Sequence, residues 1–214
     1  MFRYKQNSRD DRFFPVTWEG NIPEQKAITD ADIHEIAKQT GVPFCNLKAV
    51  MEVESGGSGF LLNEPPPARP KILFEAHKFY VETPLPVSRT RPDLSSPRWN
   101  RKLYKGGSAE WDRLRDAMAF DEHAALRSAS WGLFQCMGFN YELAGCDSIE
   151  QFVVENFTGE KQQFQHMVNF IENTGLLPHL ANGRWATFAR GYNGGSYAVN
   201  NYHNRLATAA RKYA

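Results

Sequence analysis

Residues 49–60, AVMEVESGGSGF, read as the end of an apolar helix running into a glycine-rich turn. On a helical wheel at ~100° per residue, with Leu47 at the centre of one face, Val50 and Met51 flank it and Glu54 falls between them. Glu54 therefore points where the apolar stripe points, while Glu52 points toward water. Burial raises the pKa of such a carboxyl, and the negative end of the helix dipole adds to the effect. A carboxylic acid kept protonated near neutral pH is what general-acid chemistry needs. Gly56, Gly57 and Gly59 are expected to leave open space beside it. The competing reading makes Glu54 only the last residue before a glycine cap.

The helix before it is bracketed by its own signals. Thr29 followed by Asp30 and Asp32 is a helix start and Gly41 a stop, with Ile33, Ile36 and Ala37 on one face. Pro43 opens the helix that carries Glu54. Residues 1–28 mix charges and aromatics without a period and are expected to form an arm, packed through Phe13, Phe14 and Trp18.

Beyond Asn63 the texture changes, and eight of the 12 prolines lie between Pro65 and Pro97. Within this region Lys71–Val81, KILFEAHKFYV, is expected to be ordered, as a strand or a short helix that periodicity does not distinguish. It carries Glu75 and His77, which would share one side of a strand. They form either a structural hydrogen-bonded pair or part of a cleft beside Glu54. Thr83–Ser108 is expected to be a long surface loop of the kind that binds or covers substrate.

Helical texture returns with Trp111, Leu114, Ala117 and Met118, then from Asp121 through Leu126 into SWGLFQCMG at 130–138. Asp147 or Ser148 caps a helix with Phe152, Val153 and Phe157. Gly159–Asn173 is the clearest amphipathic helix, with Phe164, Met167, Val168 and Ile171 in register. Trp185, Phe188, Ala189 and Tyr192 form another stripe, ending in YNGG, and Tyr202, Leu206, Ala209 and Tyr213 close the chain.

The bulk numbers exclude several classes. A chain of 214 residues with 42% hydrophobic content is globular, and its net charge of +1 gives no electrostatic grip on nucleic acid. No run approaches the ~18 apolar residues of a membrane span, and the first residues lack the apolar core of a signal peptide. The three cysteines, Cys45, Cys136 and Cys146, have no CxxC spacing, so reduced thiols are expected and no metal.

Three stretches share one design, read as a helix ending in glycine with a polar group at its edge: Glu54-Ser55-Gly56-Gly57, Gly132-Leu133-Phe134-Gln135 and Tyr192-Asn193-Gly194. In this order they resemble the lysozyme-like superfamily, especially lytic transglycosylases and goose-type lysozymes, whose ES, GLMQ and AYN motifs appear here as ES, GLFQ and GYN. EVESGGSGF, ILFEAHKFY, SWGLFQCMGFN and FARGYNGG together look like the N-acetylmuramidase domain of phage endolysins, over roughly residues 28–214. The separation between ES and GLFQ is longer than in transglycosylases, because of the proline-rich insertion.

The resemblance implies a mainly α (α+β lysozyme-like) fold: an arm at 1–28 and one catalytic domain at 29–214, with a short β or extended element near 71–81. It implies cleavage of the β-1,4 bond between N-acetylmuramic acid and N-acetylglucosamine. Glu54 takes the place of the catalytic acid and Tyr192 that of the tyrosine that orients it. Ser55, Phe134, Gln135 and Asn193 fall among the sugar-binding positions, with His77. Glu75 is the candidate second carboxylate, ahead of Glu64 and Asp93. A transglycosylase would need no second carboxylate, and a non-catalytic glycan-binding module would need no buried acid. The expected partner is the peptidoglycan glycan strand, with no cofactor, nucleic acid or membrane, for a monomer. It would be made in a host cytoplasm and act on the periplasmic or exposed wall after release.

Overall fold

The computed structural model describes residues 26–65, 68–83 and 85–214. The aromatic anchors expected for the arm, Phe13, Phe14 and Trp18, lie outside these residues.

Helix α1 (Asp30–Thr40) starts and stops as its residues dictate. The Thr29 hydroxyl accepts from the Asp32 N–H while the Asp32 carboxylate accepts from the Thr29 N–H, and Gly41 closes the helix in the left-handed region at φ 71°. Helix α2 (Phe44–Glu54) follows Pro43 and buries Leu47 and Val50. Glu52 points outward, where it meets Lys212 and Tyr213.

KILFEAHKFYV resolves into both of its alternatives. Ile72–Phe74 is strand β1, and Ala76–Glu82 is helix α3 with Glu75 at its N-cap. Glu75 and His77 thus meet across a helix start rather than along a strand. Strands β2 (Ala129–Trp131) and β3 (Cys136–Met137) complete an antiparallel sheet in the order β1-β2-β3, with Ile72 opposite Trp131 and Trp131 opposite Cys136. This corrects the reading of Gly132–Gln135 as a helix end. The stretch is the turn of a β-hairpin, with Gly132 at φ 71° and Gln135 at φ 51°. Period-two alternation sends Ile72, Phe74, Ala129 and Trp131 into one core, leaving Leu73 and Ser130 on the other face.

The span 83–108 is more ordered than a surface loop. It contains helix α4 (Leu85–Thr90) and a 3-10 turn at Arg101–Leu103, and it buries Val87, Leu94 and Ser95. The reason lies in helix α5 (Ala109–Met118), whose buried Glu110 and Arg113 form an ion pair at 2.7 Å. Glu110 accepts from the backbone N–H groups of Phe74, Lys105 and Gly106, and Arg113 donates to the carbonyls of Phe74 and Asp93. One buried pair therefore fastens the insertion to β1.

The remaining helices are α6 (Glu122–Arg127), α7 (Ile149–Asn156), α8 (Glu160–Asn173), α9 (Leu177–Ala181), α10 (Trp185–Asn193) and α11 (Tyr202–Lys212). Among the described residues two large hydrophobic cores result, with a small third cluster of Ala49, Ala209 and Ala210. One gathers Trp111, Leu114, Trp131, Phe152 and Phe157 around the sheet. The other gathers Ile36, Leu47, Phe164, Met167, Phe188 and Leu206 from the helices. Helix α11 lies along α2 and fixes its C-terminal end. Among the described residues no helix is long and apolar enough to cross a membrane.

Candidate active site

The two stretches flanking the helical core converge because both end their helices at one point. Glu54 is the last residue of α2 and Asn193 the last of α10. Asn193 Nδ2 donates to Glu54 Oε2 at 3.1 Å. The carboxyl thus sits where two helix C-termini meet, an environment that disfavours an anion. Burial raises its pKa above the usual glutamate range, against the opposing Asn193 hydrogen bond and the charge of Arg205. Arg205 donates to the Val53 carbonyl at 3.4 Å. Among the described residues, Glu54 Oε1 and Asn193 Oδ1 are buried without a hydrogen-bond partner. Unmade bonds of this kind cost about 1–3 kcal/mol each and gather where a ligand completes them.

Lys71 ties the acid's turn to the hairpin. Its Nζ donates to the Gly56 carbonyl at 3.3 Å and its N–H to the Gly59 carbonyl at 2.8 Å. Its own carbonyl accepts from the Gly132 N–H at 2.8 Å and from Gln135 Nε2 at 3.1 Å. Below this strand, Gln163 accepts from the Leu133 N–H and donates to the Asn156 carbonyl, both at 2.8 Å. The buried Glu160 accepts from the N–H groups of Gly59 and Ile28.

The glycines divide accordingly. Gly57 has open space around its Cα, as expected, whereas a Cβ on Gly56 would stand 2.6 Å from the flexible tip of Lys71. Gly59 does not leave space: an added Cβ would stand 1.9 Å from Gln163 Oε1.

Of the residues singled out from the sequence, Glu54, Ser55 and Asn193 are assembled at one place. Tyr192 is close enough that a charge on Glu54 pushes its pKa up, after the larger effect of its own burial. Its ring stacks on Phe188 with centroids 5.6 Å apart, and the hydrogen bond to the acid comes from Asn193 instead. Gln135 is turned inward, donating to Lys71 and Gly132 and accepting from Ser130. Phe134 is 8% exposed and packs on Phe164 in the helical core.

Glu75 accepts a short hydrogen bond from the Tyr104 hydroxyl and lies 3.2 Å from His77 Nδ1. It follows β1 four residues after Lys71, ~13 Å along an extended chain. The rival carboxylates are engaged elsewhere, Glu64 with Arg69 and Asp93 with Arg91. Sequence reasoning missed Lys71, Tyr104 and Gln163. Lys71 and Gln163 carry no local signal, because their partners are backbone groups distant in sequence. Tyr104 fell inside the presumed loop.

Comparison with curated proteins gives no match. Among solved structures, the chain is similar to the crystal structure of the Burkholderia AP3 phage endolysin, with 34% identity and a TM-score of 0.81 over 89% of this chain and 73% of that one. The family model described as N-acetylmuramidase matches residues 43–214. With that match spanning most of the sequence, on a helical domain whose helix ends place a half-buried carboxyl at Glu54 with one oxygen held by Asn193, the chain belongs to the N-acetylmuramidase family.

Proposed function

We propose that this chain is a peptidoglycan hydrolase that cuts the β-1,4 bond between N-acetylmuramic acid and N-acetylglucosamine, with Glu54 as general acid. The observation that carries the assignment is the state of Glu54: half-buried, at two helix ends, one oxygen held by Asn193 and the other without a partner among the described residues. Protonated, that free oxygen supplies the proton for the glycosidic oxygen. The C1–O bond then breaks through an oxocarbenium-like transition state, water adds at C1, and a reducing muramic acid is left. Asn193 sets the rotamer of the acid, and its unpaired Oδ1 is an acceptor for a sugar N–H or O–H. Ser55 follows Glu54 in the chain, Tyr192 stacks on Phe188 within electrostatic reach of it, and Gln135 braces the hairpin that Lys71 ties to the loop after it. Likeness to a phage endolysin supports action at the bacterial wall.

A turbidity assay on outer-membrane-permeabilised cells tests this reading through its pH profile. Activity needs protonated Glu54, so it falls as pH rises through a value above the ordinary carboxylate range. Loss of activity only below that range would contradict the acid role.

Asn193→Ala is expected to slow lysis roughly threefold to tenfold, the worth of one hydrogen bond. It should also move the alkaline limb of the profile upward, since that bond lowers the pKa of Glu54. Tyr192→Phe, which removes only a hydroxyl, should change the rate less. The reverse ranking would return the orienting role to Tyr192.

Glu75 is the second carboxylate in this scheme, held by Tyr104 and His77 and available to take a proton from water. Glu75→Gln should slow turnover by a smaller factor than loss of the acid, because departure of the leaving group depends first on protonation. Azide should restore part of the rate by replacing the activated water. An unchanged rate would assign Glu75 to holding the start of α3.

A further inference from the structure

Around α7 and α8, three side chains that the proposed hydrolytic chemistry does not use come together. Cys146 precedes α7, Glu155 lies in α7 and His166 in α8. Cys146 Sγ stands 3.6 Å from His166 Nε2 and 3.7 Å from Glu155 Oε2, and the last two atoms are 2.9 Å apart. His166 is 1% exposed and Glu155 27% exposed. All three donor atoms lie within 4.8 Å of one another.

We propose that Cys146, Glu155 and His166 form a structural zinc site that staples the loop before α7 to α7 and α8. Three ligand atoms on a tetrahedral zinc, with Zn–S ~2.3 Å and Zn–N or Zn–O ~2.0–2.2 Å, stand ~3.3–3.6 Å apart. The sulfur–histidine edge already has that length, and the sulfur–carboxylate edge, at 3.7 Å, is just above it. The histidine–carboxylate edge is held shorter by a hydrogen bond and opens by about half an ångström on metal uptake. A histidine–carboxylate hydrogen bond alone does not require a thiol equidistant from both partners.

The donor set of one thiolate, one imidazole and one carboxylate suits zinc, and two negative ligands neutralise the ion in a buried place. Binding expels the thiol proton, and the His166 proton moves to Nδ1, which faces the Asn156 amide at 3.4 Å. That amide must turn its oxygen to accept it, which gives up the hydrogen bond its Nδ2 donates to the Phe152 carbonyl at 2.8 Å. Gln162 Nε2, which donates to Glu155 Oε2 at 2.7 Å and lies 3.4 Å from His166 Nε2, must turn away to leave the fourth position to its Oε1 or to water. The ligands come from positions 146, 155 and 166, so no short motif announces them.

The test uses the whole chain, stripped with chelator and titrated with Co2+ and then Zn2+. The expected result is uptake of one Co2+ with a thiolate-to-cobalt charge-transfer band that Zn2+ abolishes. The band should vanish in Cys146→Ser and persist in Cys45→Ser. In case the serine variant does not fold, X-ray absorption on the zinc-loaded native chain gives an independent reading. It should show one sulfur at ~2.3 Å and nitrogen or oxygen neighbours at ~2.0–2.2 Å. No stoichiometric uptake, a band that survives in Cys146→Ser, or a shell without sulfur would each overturn the site.

Discussion

Glu54→Gln is expected to cut the rate of wall lysis by about a hundredfold to ten-thousandfold, the range carried by a positioned general acid, while the fold survives. Glutamine keeps the size of the side chain and an oxygen for the Asn193 hydrogen bond, but has no acidic proton for the leaving group. The same substitution should stabilise the protein at higher pH. Burial raises the folded-state pKa of Glu54 above its unfolded value. Between those two values the folded chain holds a proton that the unfolded chain has lost, so stability falls as pH rises through that window. Below the unfolded value the penalty is absent, and above the folded value it is fully present. A denaturant series with pH should therefore show the variant gaining on the native chain as pH rises. Glu52→Gln, two residues away on the exposed face of α2, is the control and should leave lysis unchanged.

The second large effect is expected at Gly132→Ala, and it acts on the fold. Gly132 is at φ 71°, and a Cβ there would stand 2.6 Å from Asn156 Oδ1 and 2.7 Å from Gln163 Cδ. The left-handed conformation costs a non-glycine residue about 1–2 kcal/mol, and overpacking a filled core adds typically 1–3 kcal/mol. A loss of roughly 2–5 kcal/mol corresponds to a melting temperature lower by about 5–20 °C for a chain of this size. Lysis should fall with it, because the turn that moves is bonded through Lys71 to the loop after Glu54. Gly56→Ala, which meets only a flexible lysine tip, should be close to neutral. Equal melting temperatures for the two variants would mean that the hairpin yields more easily than its packing implies.

The helices were legible because their signals are local. Thr29 and Asp32 cap α1 within a single turn, and the Phe164–Ile171 stripe reports its buried face through spacing alone. The strands were not legible. Ala129–Trp131 and Cys136–Met137 are too short to show alternation, and they exist because Ile72–Phe74, more than fifty residues earlier, offers them an edge. The order found at 83–108 has the same origin, since Glu110 and Arg113 bind backbone groups that no periodicity marks.

The candidate site divides along the same line. Glu54 and Asn193 could be placed because each ends its own helix. Gln135 and Phe134 belong to the second motif of the same set, yet the structure turns one into a brace and the other into core. Which motif residues face substrate depends on the turn conformation at 132–135, and two positive φ angles there decide it.

The central claim is tested most directly by mass spectrometry of the soluble fragments released from purified peptidoglycan. Hydrolysis with Glu54 as the acid leaves fragments ending in reducing N-acetylmuramic acid, and almost none from the Glu54→Gln variant at matched stability. Fragments ending only in the anhydro sugar, lighter by one water, would contradict hydrolysis, and an undiminished yield from Glu54→Gln would contradict the acid.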